Sequence, residues 1–416
     1  MIPWVFLAVS LVGAGFTASA LLRGRKLWIF VVPYFFGAWL TGELALHHLA
    51  WQLLATVVFV ALGALGDWAG IVGLGITLAS WGGLAALHRR GAEAVASFRD
   101  ALQEGLEAGG RDLPEHAPLR EWLRPFRMRR PEVERIENLA YADGGERNLL
   151  DLYRERSRPQ ACPILLQIHG GAWIIGRKEQ QGLPLMHELA SRGWLCVAPN
   201  YRLGPKATFP DHLIDVKRAL AWIREYAADY GGDPNFVAVS GGSAGGHLAS
   251  LIALTANEPE LQPGFEHVDT SVAACVPFYG VYDLLDRHGA RGRQAMAPFL
   301  ERALMKCSPL EHRERWEQAS PTSRVHSAAP PFFVIHGTHD SFSFIEDART
   351  FVRALRDVSR NPVVYAEVPG AQHAFDIFHS PRSRHAVNAT VHFLERVQAG
   401  AFTRLDRADA SLAQAT

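Results

Sequence analysis

Residues 238–250 read AVSGGSAGGHLAS. An apolar run, 236–240, leads in, and a run of helical character, 246–256, leads out. Between them Gly241, Gly242, Gly245 and Gly246 surround the single hydroxyl of Ser243. Gly241-Gly242-Ser243-Ala244-Gly245 matches G-x-S-x-G, a pattern that acquires meaning at a strand-to-helix turn. Such a turn holds its serine on a strained backbone with the hydroxyl exposed. Side chains at Gly241 and Gly245 would collide with the neighbouring strand and helix. The helix opening at Ala244 points backbone N–H groups to where negative charge develops. A phosphate-binding loop would end in Gly-Lys-Ser/Thr, which is absent, and G-x-G-x-x-G has no proper match.

A serine hydroxyl is a poor nucleophile without a base, and the base needs an orienting acid. Two later loops supply both. Residues 332–335 read as a strand, followed by His336-Gly337-Thr338-His339-Asp340. Residues 363–368 read as another, followed by Pro369-Gly370-Ala371-Gln372-His373. Asp340 and His373 therefore stand past carboxyl ends of strands, the edge where an open parallel sheet gathers its reactive groups. The order Ser243, Asp340, His373 is the chain order of α/β-hydrolases. Asp347, within a helical pattern, and Asp376, three residues past His373, are the rival acids. His336 is read as a support of its loop, and no pair at metal-ligand spacing accompanies His336 and His339.

A third loop follows the strand 164–168 and reads His169-Gly170-Gly171-Ala172-Trp173. Acyl transfer passes through an oxyanion that preorganised N–H donors must meet. Gly171 and Ala172, with Gly170 as a further candidate, would join the N–H of Ala244 in that role. Two readings stand for Trp173, packing beneath the loop or contact with substrate.

Around these loops, short apolar strands alternate with amphipathic helices from about residue 131. This predicts a mostly parallel sheet with helices on both faces. The strands at 136–142 and 149–153 have no helix between them and would pair antiparallel. The less regular stretch 286–327 is expected to shape the binding pocket. The length of 416 residues suggests about two units. A net charge of zero gives no electrostatic case for nucleic-acid binding. Cys162, Cys196, Cys275 and Cys307 show no CxxC or zinc-ligand spacing and read as free thiols.

The first ninety residues differ in kind. Stretches 4–22, 27–42, 49–66 and 68–87 contain no charged residue, and each approaches the roughly 20 residues that span a bilayer. They predict about four transmembrane helices in a multi-pass cell-membrane anchor. No basic residue precedes the first run, so it is not read as a cleaved signal peptide. Gly70, Gly73, Gly75, Gly82 and Gly83 would allow close helix packing. The positive-inside rule assigns both Arg23, Arg25, Lys26 and Arg89, Arg90 to the cytoplasm. Three spans between these groups would separate them, whereas two spans or a re-entrant hairpin would not. The side on which the catalytic domain lies stays open. A helix at 92–108 ending at Gly109-Gly110 and an arginine-rich segment to 135 follow, the latter a headgroup contact or a solvated linker. The expected domains are 1–90 transmembrane helices, 91–130 helix and basic linker, 131–400 catalytic domain and 401–416 tail.

With these residues in place, the second half resembles the hormone-sensitive-lipase-like carboxylesterases of the α/β-hydrolase fold. The resemblance runs from about 150 to 397 and rests on HGGAW, NYRLGPKATFP, DYGGDPNFVAVSGGSAGGHLAS, IHGTHD and GAQHAF. Together with the apolar N-terminus, it looks like membrane-associated carboxylesterases of mycobacteria and related actinobacteria. It implies hydrolysis of acyl esters without metal or organic cofactor; the expected substrate is a small-molecule or lipid acyl ester, the lipid suggested by proximity to the apolar N-terminus. Two positions depart from the family pattern. Ala172 replaces the usual third glycine but keeps its N–H, and Gly242 stands where an acidic residue is common. HGGAW also occurs in kynurenine formamidases and prenylcysteine methylesterases, so amidase, formamidase or methylesterase activity is the alternative. A catalytically silent membrane scaffold is the alternative of another class.

Overall fold

The computed structural model describes residues 1–22, 31–106, 113–114, 118–289 and 296–400. The expected tail 401–416, the basic group at Arg23, Arg25 and Lys26, and the helix stop at Gly109-Gly110 lie outside them.

Four apolar helices come first: α1 (Ile2–Leu21), α2 (Val31–Glu43), α3 (Ala45–Ala61) and α4 (Trp68–Leu106). Helices α1 and α4 are long and apolar enough to cross a membrane. Helices α2 and α3 have 13 and 17 residues and are bent by 93° where they meet. Against the expected bundle of about four, the described residues hold two helices long and apolar enough to span, or three such units if the bent pair counts as one. The reason lies at Glu43, because a carboxylate is costly to leave in hydrocarbon. Glu43 is instead buried against the distant end of the chain. Its Oε1 lies 3.2 Å from Arg382 Nη1, and its Oε2 accepts from Ser380 Oγ at 2.7 Å.

Helices α1 and α4 meet closely. A Cβ at Gly73 would lie 3.1 Å from Leu7 Cα, and one at Gly83 would lie 2.7 Å from Thr17 Cγ2. Thr77 donates to Ser10 at 2.9 Å and Thr17 pairs with Ser80 at 2.8 Å. Helix α4 then continues without a break for 39 residues, about 58 Å at 1.5 Å per residue. Its second half buries Ala94, Phe98, Ala101 and Leu102 against the sheet. The helices expected separately at 68–87 and 92–108 are thus one as far as Leu106, the last residue described there.

After the short α5 (Leu119–Leu123), the chain builds an eight-stranded sheet. Its strands are β1 (Val133–Ala140), β2 (Leu149–Glu155), β3 (Cys162–Ile168), β4 (Leu195–Pro199), β5 (Gly232–Gly242), β6 (Ala274–Phe278), β7 (Phe332–Gly337) and β8 (Val363–Val368). Their spatial order is β1-β2-β4-β3-β5-β6-β7-β8. Strand β2 runs antiparallel to β1, as expected, and to β4. All other neighbours are parallel. The helices are α6 (Leu183–Ala190), α7 (Asp211–Tyr226), α8 (Ala244–Leu254), α9 (Ala297–Leu300), α10 (Arg313–Gln318), α11 (Ile345–Val358) and α12 (Pro381–Gln398).

Alternation along the strands divides the core. Ile164, Leu166 and Ile168 of β3 join Val237 and Val239 of β5 under α7, α8 and α11. Leu165 and Ala238 point to the other face, where α6, α12 and the end of α4 cover them. All four cysteines are unpaired, with Cys162, Cys196 and Cys275 buried.

Candidate active site

Strands β3 and β5 are neighbours, so the loops leaving their carboxyl ends stand side by side. One carries His169 to Trp173, the other Ser243. Strands β7 and β8 are likewise neighbours and deliver Asp340 and His373 to the same edge.

Ser243 caps α8 at φ 57° and ψ −120°, a region that costs a non-glycine residue on the order of 1–3 kcal/mol. Its N–H donates to the Phe278 carbonyl and its own carbonyl accepts from His247 N–H, each at 3.0 Å. The backbone is thus satisfied, and the side chain is half-buried at the edge of the sheet. The elbow closes only without side chains on either flank. A Cβ at Gly245 would lie 2.1 Å from the Ile168 carbonyl oxygen, and one at Gly241 would lie 2.6 Å from that oxygen and from Gly245.

Asp340 is buried and fully engaged. Its Oδ1 accepts the N–H groups of Phe342 and Ser343, both at 2.8 Å. Its Oδ2 lies 2.7 Å from His373 Nδ1. Gln372 Oε1 ties the two loops by accepting from Ser341 N–H at 2.7 Å and His373 N–H at 3.0 Å. His336 lies beneath, its Nε2 2.7 Å from the Ser343 carbonyl and 3.5 Å from Asp340 Oδ2. Burial pushes its pKa down, so it supports the loop as a neutral donor to that carbonyl.

The rival acids have other partners. Asp347, within α11, accepts from Tyr282 N–H at 2.8 Å and Asp283 N–H at 3.4 Å. Asp376 accepts from the Tyr279 hydroxyl, and burial pushes its carboxyl above the usual carboxylate range. Tyr279 stands between the elbow and the His373 loop. Its ring lies 4.7 Å from the His373 ring, and its hydroxyl would lie 2.7 Å from a Cβ at Gly242.

The loop after β3 holds three successive left-handed residues, Gly171 at φ 116°, Ala172 at 51° and Trp173 at 62°. Ile174 and Ile175 return their N–H groups to the Gly171 carbonyl at 3.1 and 3.0 Å. A Cβ at Gly170 would lie 3.1 Å from Ser243 Cβ, so the two loops touch. The N–H of Gly170 is taken by Gln181 Oε1 at 2.7 Å. The amides of Gly171 and Ala172 have no protein acceptor among the described residues, and that of Ala244, in the first turn of α8, has no intrahelical one. These three amides have no acceptor assigned among the described residues.

His169 stacks on Tyr201 with ring centroids 4.3 Å apart. Burial pushes its pKa down to about 4, and its Nδ1 lies 2.8 Å from the Gly170 carbonyl. Trp173 is buried and donates Nε1–H to His247 Nδ1 at 3.2 Å, while His247 Nε2 meets the Ala319 carbonyl at 2.7 Å. Of its two readings, this geometry matches packing beneath the loop. Among the described residues no group of three or more His, Cys, Asp or Glu side chains could hold a metal ion.

Three contributors escaped the sequence reading. Tyr279 follows β6 directly, so the rule that reactive groups gather at strand ends would have found it. Gln372 adjoins His373. Gln181 reaches Gly170 from eleven residues downstream, and no spacing rule marks it.

The BD-FAE family profile matches residues 150–355. The chain is 46% identical over 336 residues to the probable carboxylic ester hydrolase LipM of Mycobacterium tuberculosis, covering 76% of each chain. It is 48% identical over 259 residues to the esterase LipQ of the same organism, covering 62% of this chain and 61% of that one. Among solved structures, a thermophilic esterase of Thermogutta terrifontis with propionate bound is 26% identical. Its TM-score is 0.52 over 66% of this chain and 96% of that one.

Proposed function

The chain belongs to the hormone-sensitive-lipase-like carboxylic ester hydrolases of the α/β-hydrolase fold, and we propose that it is a membrane-anchored serine carboxylesterase acting through Ser243, His373 and Asp340. The observation that carries this reading is the 2.7 Å contact between His373 Nδ1 and Asp340 Oδ2, on the sheet edge that also presents the strained Ser243. With Nδ1–H committed to the carboxylate, Nε2 is the basic nitrogen.

In this mechanism His373 Nε2 takes the Ser243 proton as Oγ attacks the ester carbonyl carbon. Asp340 holds the imidazole in the required tautomer and stabilises the imidazolium. The N–H groups of Gly171, Ala172 and Ala244 receive the oxyanion. Each such donor is typically worth about 10²–10³ in rate. When the intermediate collapses, the carbon–oxygen bond of the ester breaks, and His373 protonates the departing alcohol. Water, deprotonated by the same nitrogen, then cleaves the acyl-enzyme and releases the acid and Ser243.

Helices α1 and α4 serve as the anchor in this reading, with 1–90 as the membrane layer and 131–400 as the catalytic domain. Acyl esters are the substrates, lipid esters among them, because the site is built at the junction with the apolar helices. Ser243→Ala should lose turnover of a short-chain nitrophenyl ester by several orders of magnitude, measured beside wild type. Turnover at the wild-type rate in the folded variant would sink the proposal.

A further inference from the structure

Helix α2 reaches from the apolar layer to the loops that carry the acid and the base. The buried Phe35 ring packs 4.7 Å from the Phe342 ring. Phe342 stands edge-on to the His373 imidazole at 5.5 Å and donates its backbone N–H to Asp340 Oδ1 at 2.8 Å. One residue therefore touches both members of the acid–base pair, and it also touches α2.

One turn further on, Trp39 Nε1 donates to the Ala374 carbonyl at 3.0 Å, and its ring packs 5.2 Å from Phe378. Ala374 directly follows His373 and sits at φ 60°. A residue with a side chain keeps that left-handed conformation only where its surroundings over-determine it. At the end of α2, Glu43 pairs with Arg382 and Ser380, where α12 begins after the same loop. Arg382 also donates to the Gly42 carbonyl at 3.1 Å. Helix α2 thus contacts the partner ring of His373, the residue after it and the end of its loop.

We propose that Phe35 and Trp39 are positioning residues for His373, so that the apolar N-terminal layer is a working part of the catalytic centre as well as its anchor. The proposal rests on the triad reading above. An imidazole that must accept a proton from Ser243 and return it to a leaving group tolerates little displacement, and a 1 Å error costs on the order of 10²-fold in rate. Phe342 and Ala374 are the points at which α2 bears on the loops, one through Phe35 and the other through Trp39.

The test uses the full-length protein in phosphatidylglycerol vesicles with a soluble nitrophenyl butyrate. Trp39→Phe keeps a ring and removes the N–H donor; Phe35→Leu keeps apolar bulk and removes the ring. Each should lower kcat about 10- to 100-fold with KM unchanged. Each should also slow covalent labelling of Ser243 by a fluorophosphonate by a similar factor. Val32→Ala, on the same helix but 51% exposed, should change neither. Should the α2 variants fail to fold, Phe342→Leu breaks the same relay with α2 intact and should show the same loss of kcat.

Wild-type kcat and labelling in folded Trp39→Phe and Phe35→Leu would overturn the proposal. So would a rise in KM at constant kcat, which would assign α2 to substrate binding instead. Failure of the triad reading shows separately, as a Ser243→Ala protein that still hydrolyses the ester.

Discussion

Ser243 carries the strain of the site at φ 57°, and each of its neighbours has a distinct role. Three carboxylates were candidates for the acid in the sequence, and the place of Asp340 past the carboxyl end of a strand, in the chain order Ser243, Asp340, His373, favoured it over Asp347 and Asp376 without showing what each one touches. Side-chain geometry does. Asp340 reaches His373 Nδ1, Asp347 holds backbone amides after β6, and Asp376 accepts from Tyr279. Asp340→Asn should therefore lower kcat on the order of 10⁴-fold, because an amide favours the wrong imidazole tautomer. Asp376→Asn should cost about tenfold or less, since the amide oxygen can still accept from the Tyr279 hydroxyl and a neutral hydrogen bond is worth about 1 kcal/mol. Steady-state kinetics on one short-chain ester would check both, and equal losses would mean that the roles are misassigned. Glycine positions were legible because steric exclusion is local; the demand at Gly245 shows as a Cβ placed 2.1 Å from a carbonyl oxygen. Gly170 was legible only in part, because the loss of its amide to Gln181 depends on a side chain whose reach the sequence does not encode.

At the scale of elements, the strands were readable where they are buried. The apolar run 236–240 lies inside β5, but β5 itself extends over Gly232–Gly242. Hydrophobicity marks burial, while the hydrogen-bonded ladder continues through glycines that carry no such signal. The order of strands was not readable. Placement of β3 between β4 and β5, which puts the His169 loop beside Ser243, is a long-range choice made by packing. Helix α4 shows the converse. Polarity at His88, Arg89 and Arg90 marks a change of surroundings, yet the backbone continues, since residues of good helix propensity surround a single Gly91. The break between α2 and α3 was legible as the polar gap between the charge-free stretches 27–42 and 49–66, but the 93° bend there was not. At the bend Glu43 meets Arg382, a partner 339 residues away that no local pattern announces.

The whole molecule combines an apolar layer and an α/β sheet that share α4, with buried ionisable groups at their seams. Outside the apolar layer, His169, His187, His212 and His379 are each pushed down to about 4, chiefly by burial. The folded state keeps them neutral while the unfolded chain takes up protons below about 6.5. Stability is therefore complete above that value and falls as pH drops from about 6.5 towards 4. Each histidine contributes a slope of up to about 1.4 kcal/mol per pH unit. Glu188 acts lower. Burial alone would raise its carboxyl, but Arg384, Arg192 and Arg130 bring it down to about 2. Its contribution is held above about pH 4.5 and is lost only as the pH falls towards 2. Thermal melting at pH 7.5 and 4.5 should show a clearly lower Tm at the acidic value; a Tm unchanged between the two would contradict the assignment of these histidines as neutral in the fold.

The proposal that Ser243 is the nucleophile of this carboxylic ester hydrolase is tested most directly by locating a covalent adduct. Full-length protein is treated with a fluorophosphonate, digested and examined by mass spectrometry beside Ser243→Ala. The expected result is one adduct, on the peptide that contains Ser243, absent from the variant. An adduct on another residue, or none on folded wild-type protein, would contradict it.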